Sequence, residues 1–287
     1  MVTILALGAA LLYGSADFLG GVATKHARVL SMLPLSAGAG AVVVLTAALA
    51  SAQPARLAGL AWGVAGGALG GVGLIIFYAG LAAGPMSVVA PVSALMSTVL
   101  PVAVALAGGE HASATVYAGA LLCLVAIVLV SSSGPADGAE RVKGVRRNFH
   151  RPAVGYGLAA GTTFGLFFLF LRNGGHSGTL WPVATARLAG LAVVLLAASA
   201  TRTRPLLRGA SSRLLLATAG SGVLDATANI CYVAATRAGL FGLAVVLTSL
   251  YPGITVLLAK LTLGERLRGT QQFGLLLAAI GVVLVTV

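Results

Sequence analysis

Long apolar runs separated by short polar breaks make up almost the whole chain. Cutting at charges and turn-forming residues leaves ten such runs, at 2–22, 29–50, 57–82, 86–107, 113–131, 153–172, 179–200, 213–236, 240–262 and 269–287. A helix rises about 1.5 Å per residue, so roughly 20 apolar residues cross the ~30 Å hydrocarbon layer of a bilayer. Each run is therefore predicted to be a membrane-spanning helix. The runs are continuous and show no period of two, which excludes a membrane β-barrel. The expected fold class is an all-α polytopic membrane protein. Most connections are hairpin-tight: the break after Pro85, the Gly108-Gly109-Glu110-His111 turn and the Arg237-Ala238-Gly239 turn.

The longest polar stretch, 132–152, opens with Ser132-Ser133-Gly134-Pro135 and carries Arg141, Lys143, Arg146, Arg147 and Arg151. It reads as a solvated basic linker, with anionic lipid head groups as a second partner for its charge. It divides the chain into a first five-helix unit, 1–131, and a second, 153–287. A shift of 155 places Ala83-Gly84 on Ala238-Gly239, Gly109-Glu110 on Gly264-Glu265 and Phe77 on Tyr232. Shifts of 151 and 148 place Tyr13-Gly14 on Phe164-Gly165 and Pro34 on Pro182. Matches in constant order with drifting offsets are what a duplicated unit gives. An odd number of spans per unit forces the second copy to enter the membrane the opposite way. Inverted repeats of this kind belong to transporters that alternate access around a midplane site. Glycines at 63, 67 and 71 and at 157, 161 and 165 form small-residue stripes, which let helices approach closely in lipid.

Composition fits this picture. Of 287 residues, 59% are hydrophobic and 8% charged, against about 25% charged in soluble domains. So few charges cannot clothe a water-facing surface. The net charge of +12 then sets membrane orientation and does not mark a nucleic-acid binder, and aromatic residues at 6% are too sparse for base-stacking platforms. Cys123 and Cys231 lie inside apolar runs and read as small core residues. His26, His111, His150 and His176 have no metal-ligand spacing, so neither a metal nor a cofactor is expected. The N-terminal run lacks a basic flank and reads as a retained span.

Tyr13-Gly14-Ser15-Ala16-Asp17-Phe18 resembles the aromatic-Gly-Ser-x-x-Phe opening of EamA-type members of the drug/metabolite transporter superfamily. Pro252, Leu263-Gly264-Glu265-Arg266-Leu267 and Gln271-Gln272 resemble that family's end of span nine and start of span ten. Ser97 stands where Pro252 sits in the second half, and Asp17 replaces a residue that is more often Asn. The resemblance runs over the whole chain. It implies secondary export of small metabolites, amino acids or drugs, without choosing among them.

Ionisable groups within spans are costly and each calls for an explanation. Asp17, Arg187 and Asp225 stand out. Arg187 lies about 10 Å into its span and Asp225 about 17 Å from the same surface, a difference that an arginine side chain bridges. An Arg187–Asp225 pair across spans seven and eight is expected, with snorkelling of Arg187 to the interface as the alternative. Asp225, Asn229 and Tyr232 share one face of span eight, and Tyr13 and Asp17 share one face of span one. A polar stripe in lipid faces a wet cavity or makes interhelical hydrogen bonds. Asp17 or Asp225 is the candidate for proton coupling, Asp17 reading also as a cation-binding or a satisfied structural carboxylate, and Arg187 is a partner of Asp225 or an anion clamp. Tyr78 is a gate or an interface anchor. Pro91, Pro101 and Pro252 remove backbone donors and are expected to kink their helices near Ser93, Ser97, Thr248 and Tyr251. Lys260, Glu110 and Glu265 read as interfacial or helix-ending groups.

The expected function is a monomeric secondary transporter of a small molecule in the cell inner (plasma) membrane, coupled to protons or working by exchange. The alternatives are a membrane-embedded enzyme, which lacks carboxylate clusters and a serine with a base in reach, and a passive channel or assembly subunit. Alternating the sides of successive loops puts 14 of the 18 Lys and Arg on one side and four, Arg56, Arg172, Arg187 and Arg237, on the other. The positive-inside rule then places both termini outside. The family resemblance implies both inside. We follow the charge count, because the bias is large and sits in short loops.

Overall fold

The computed structural model describes residues 1–24, 27, 29–83, 86–110, 113–131, 150–203, 210–264 and 268–286. All regular structure among them is helical: α1 (Val2–Thr24), α2 (Val29–Ala50), α3 (Leu57–Ala83), α4 (Met86–Ala107), α5 (Ala114–Ser131), α6 (His150–Gly175), α7 (Leu180–Ala200), α8 (Ser212–Ala238), α9 (Phe241–Thr248), α10 (Tyr251–Leu263) and α11 (Gly269–Thr286). Seven helical stretches, counting Phe241–Leu263 as one, are long and apolar enough to cross a membrane, and Val92–Ala107, Ala114–Val130 and Gly269–Leu284 are shorter apolar helices. The protein is a multi-pass membrane protein. Residues 132–149 of the expected linker, and the Glu265-Arg266-Leu267 part of the second-half motif, lie outside the described residues.

Local chemistry explains the helix ends. Ser211 caps α8 by accepting from the Leu214 N–H at 3.3 Å, which satisfies one of the donors a helix start leaves over. Gly109 turns the chain after α4 at φ 81°, and Gly264 ends α10 at φ 67°, a left-handed backbone that glycine adopts without strain. The expected kinks resolve unequally. α4 runs on without interruption past Pro91 and Pro101. The ninth run instead breaks at Ser249 and Leu250 and restarts with Pro252 in the first turn of α10. There the missing proline N–H falls where no intrahelical partner exists.

The packing is reciprocal between the two parts of the chain. α1 lies on α8 as α6 lies on α3, α2 lies on α8 as α3 lies on α7, and α4 packs on α6 as α9 and α10 pack on α1. α2 meets α7, and α5 meets α11. Glycines allow the closest approaches. A methyl at Gly67 would collide with the Ala186 carbonyl, and one at Gly222 with the Ser36 carbonyl. These two glycines are separated by the 155 positions that align the halves in sequence. The stripe at Gly157, Gly161 and Gly165 seats α6 against Val92, Ser93, Met96 and Leu100 of α4. Leu171, Val183, Tyr232 and Val233 are fully buried at the centre, whereas Leu49, Leu121, Leu196, Leu216 and Leu261 are exposed on the periphery, as a lipid-facing surface requires.

Candidate substrate and coupling site

Ala6, Ala10, Tyr13 and Asp17 follow one another at i, i+4, i+7 and i+11, one face of α1. Ala6, Ala10 and Tyr13 are buried, at 0%, 2% and 7% exposure, while Asp17 is exposed. The exposed apolar residues of α1, Ile4 and Leu11, lie on a different side of the helix. Asp17 therefore lies on the bundle-facing side of α1 and not on the side of Ile4 and Leu11. It lies within electrostatic reach of Asp225 and Tyr251. No described residue gives it a hydrogen bond.

Opposite stands the expected pair. Arg187 of α7 forms an ion pair with Asp225 of α8, Nη1 to Oδ2, and the guanidinium is the more buried partner, at 15% exposure against 39%. A second arm, Nη2, donates to the Asp225 main-chain carbonyl at 2.8 Å. The pairing, and not snorkelling, accounts for Arg187. A polar chain continues from it: Asn229 Nδ2 donates to the Asp225 carbonyl at 2.8 Å, and Tyr13 Oη donates to Asn229 Oδ1 at 2.7 Å. Tyr232 Oη donates to the Phe168 carbonyl of α6 at 3.2 Å. Asn229 and Tyr232 are each 1% exposed, so of the α8 stripe only Asp225 reaches open space. The other two are spent on interhelical hydrogen bonds.

Aromatic rings close this centre. Tyr13 lies 6.2 Å from Phe168 and 6.0 Å from Tyr251 between ring centroids, and Phe168 lies 4.8 Å from Tyr232. Tyr251 sits at the start of α10, just after the break. α10 is held against α1 by Thr255 Oγ1, which donates to the Gly14 carbonyl at 3.1 Å. Thr248 is buried with its hydroxyl 3.5 Å from the Ala6 carbonyl and pins α9 to α1. Ser93 and Ser97 are buried on α4, apart from this cluster. Ser97 donates to Ala94 of its own helix at 2.9 Å, and Ser93 faces Gly161 of α6. Tyr78 belongs to α3, but its side chain lies outside the described residues.

The end of the bundle that holds the N-terminus is tied shut. Gln53, in the α2–α3 connection, accepts from the Thr179 and Leu180 N–H groups at 3.2 and 3.3 Å through its side chain, and from Trp181 Nε1 at 2.9 Å through its carbonyl. It thereby caps α7 from the other half. Arg237 Nη1 donates to Thr179 Oγ1 at 2.9 Å. The Arg172 guanidinium lies 4.2 Å over the Phe241 ring. Glu110, expected only to end a helix, accepts from the Gly242 N–H at 3.0 and 3.2 Å and so caps α9, where a carboxylate suits the positive end of the helix dipole. Beside it, between α4, α5 and α9, lies an otherwise apolar cavity of about 50 Å³, too small for a metabolite. Phe168, Gln53 and the cross-half role of Glu110 were not foreseen from the sequence. A glutamine in a short connection or a phenylalanine in an apolar run carries no distinguishing pattern.

Residues 151–287 match the model of the EamA-like transporter family. This half of the chain is an EamA-like transporter domain. The match bears out the resemblance drawn from Pro252 and the segment after Leu263, and the matched family is one of membrane transporters. The Tyr13-to-Phe18 opening lies outside the matched residues. No curated protein matches the chain. A solved structure, described only as the crystal structure of a protein, has the same fold, with a TM-score of 0.75 and 20% sequence identity over 99% of this chain and 96% of that one. The EamA-like domain contributes Arg187, Asp225, Asn229, Tyr232 and Tyr251, and the first half contributes Tyr13 and Asp17.

Proposed function

We propose that the protein is a secondary transporter that exports a small metabolite, amino acid or drug by alternating access. Its ten spans form two inverted five-helix repeats, 1–131 and 153–287, around a shared cavity. The reciprocal helix packing and the 155-residue spacing of Gly67 and Gly222 support the repeat. The observation that carries the mechanism is the asymmetry along α1. The bundle is shut beside Ala6 and Tyr13 and open at Asp17. One tied end, with an exposed carboxylate toward the other, is the form expected of a carrier caught on one side of its cycle.

Asp17 is assigned as the coupling carboxylate, within electrostatic reach of Asp225 and Tyr251. Asp225 already has a cation, and a carboxylate without one is the group free to exchange a proton for substrate. Arg187 serves as the partner of Asp225. The protein is assigned as a monomer in the plasma (inner) membrane with both termini outside, following the charge count. Counterflow and uptake in proteoliposomes, across a panel of amino acids and cationic drugs with and without a pH gradient, test the function. Saturable accumulation driven by the gradient, lost in Asp17→Asn, is expected. Uptake that never exceeds equilibration would mean a channel. Saturable exchange indifferent to pH would keep the carrier and remove the coupling role.

A further inference from the structure

We propose that Thr218 is a latch for the other half of the transport cycle. Its hydroxyl, unpaired here, donates to the Pro34 carbonyl of α2 once the end of the bundle beside Asp17 closes and the end that holds the N-terminus opens. This rests on the alternating-access reading and adds to it a residue that changes partners between the two conformations. Thr218 lies on α8 and is 1% exposed, yet its hydroxyl has no hydrogen-bond partner among the described residues. Threonines inside helices often return the hydroxyl to a carbonyl three or four residues back, as Thr98, Thr185, Thr227 and Thr255 do here. Thr218 forgoes even that bond. A buried donor without an acceptor is costly inside a membrane bundle and calls for an explanation.

The two seams that join the halves locate the acceptor. Along α3 and α7, a methyl at Gly63 would collide with the Pro182 carbonyl, and one at Gly67 with the Ala186 carbonyl. Thr185 of α7 donates across this seam to the Leu60 carbonyl at 3.2 Å, close to the Gln53 contacts of the tied end. Along α2 and α8 the inner contact is repeated, with Gly222 against the Ser36 carbonyl. One turn further out the seams differ. The shifts that align the halves, 155 and 148, carry Gly63 to Thr218, Pro182 to Pro34 and Thr185 to Ala37. The second seam thus lacks the threonine that bonds across the first, and has its threonine where the first has a glycine against a proline carbonyl. Ser221 Oγ donates to the Ala16 carbonyl at 2.9 Å, which sets this part of α8 beside the Asp17 end of α1. The cross-seam bond is made at the tied end and missing at the other. Inverted repeats exchange these roles when the carrier changes sides. The Pro34 carbonyl then stands to Thr218 as the Pro182 carbonyl now stands to Gly63.

The test uses the full chain in proteoliposomes, freed of Cys123 and Cys231 and carrying a single cysteine at Ala10. Labelling of that cysteine from the N-terminal side reads the population open there. Thr218→Val keeps the shape of the side chain and removes the hydroxyl. It takes no bond from the present conformation and one from the other, so labelling should slow by roughly three- to tenfold, the equilibrium effect of one such bond. The unfolding transition in detergent should be unchanged or later. Thr218→Ser, which keeps the hydroxyl, should label within about twofold of the parent. Unchanged or faster labelling in Thr218→Val overturns the latch, and so does an earlier unfolding transition, which would mean that the hydroxyl is already bonded in the present conformation. If the parent never labels from the N-terminal side, alternating access fails and the latch with it. A measurable rate that ignores Thr218→Val removes the latch alone.

Discussion

Asp17 and Asp225 are the same side chain in the same protein interior, and they are held in opposite ways. Asp225 is locked by the Arg187 guanidinium, and its carbonyl also receives Arg187 and Asn229. Asp17 faces the same space with no hydrogen bond from the described residues. The first arrangement fixes three helices, since Tyr13 extends the chain to α1. The second leaves a charge that must be neutralised by something that comes and goes. On the mechanism proposed above, the contrast separates a structural carboxylate from a working one. A membrane-buried charge is evidence of function only after its partners have been counted.

The sharpest way to break the comparison is to neutralise the free member. Asp17→Asn should lower gradient-driven transport by about a hundredfold, measured as initial uptake, and change stability by less than about 0.5 kcal/mol. A large loss of stability would place Asp17 among the structural groups. Next comes the locked member. Asp225→Ala strands Arg187 and should cost about 2 kcal/mol, seen as an earlier unfolding transition in detergent. The figure lies below that for a fully buried pair because part of the carboxylate is exposed. Replacing both partners by leucine should bring stability back to within about 1 kcal/mol of the wild type. If the double variant is no better than the single, the pair is not the source of the loss.

Two smaller changes sharpen the boundary between the regions. Tyr13→Phe removes the hydrogen bond to Asn229 and should cost about 1 kcal/mol, while the ring contacts with Phe168 and Tyr251 keep the aromatic wall. Gradient-driven uptake should survive within a few-fold. Gln53→Ala uncaps α7 at the closed end and should cost about 0.5 kcal/mol. Its main effect is on the open–closed balance. A cysteine placed at Ala10, in a chain freed of Cys123 and Cys231, should label faster from the N-terminal side. Unchanged labelling would show that the Gln53 contacts do not hold that end shut.

The sequence on its own determined the spans, because lipid demands contiguous apolar length and the boundaries of α2, α4 and α7 follow directly from it. It also brought Arg187 within reach of Asp225, since depth along two antiparallel helices is simple arithmetic, but the choice between that pair and snorkelling was left to the structure. The kinks were legible only in part: prolines mark where a donor is missing, yet α4 continues past two of them and the ninth run breaks before Pro252. Only the tertiary structure decided that Asn229 and Tyr232 are closed over while Asp225 and Asp17 are not. All four lie on polar faces that periodicity cannot tell apart. Exposure depends on what α1, α6 and α10 place opposite each residue, and that is set by how closely Gly14, Gly67 and Gly222 let neighbouring backbones approach. The same long-range packing brings Gln53 to α7 and Glu110 to α9. A hydrogen bond between residues more than a hundred positions apart leaves no local trace in the chain.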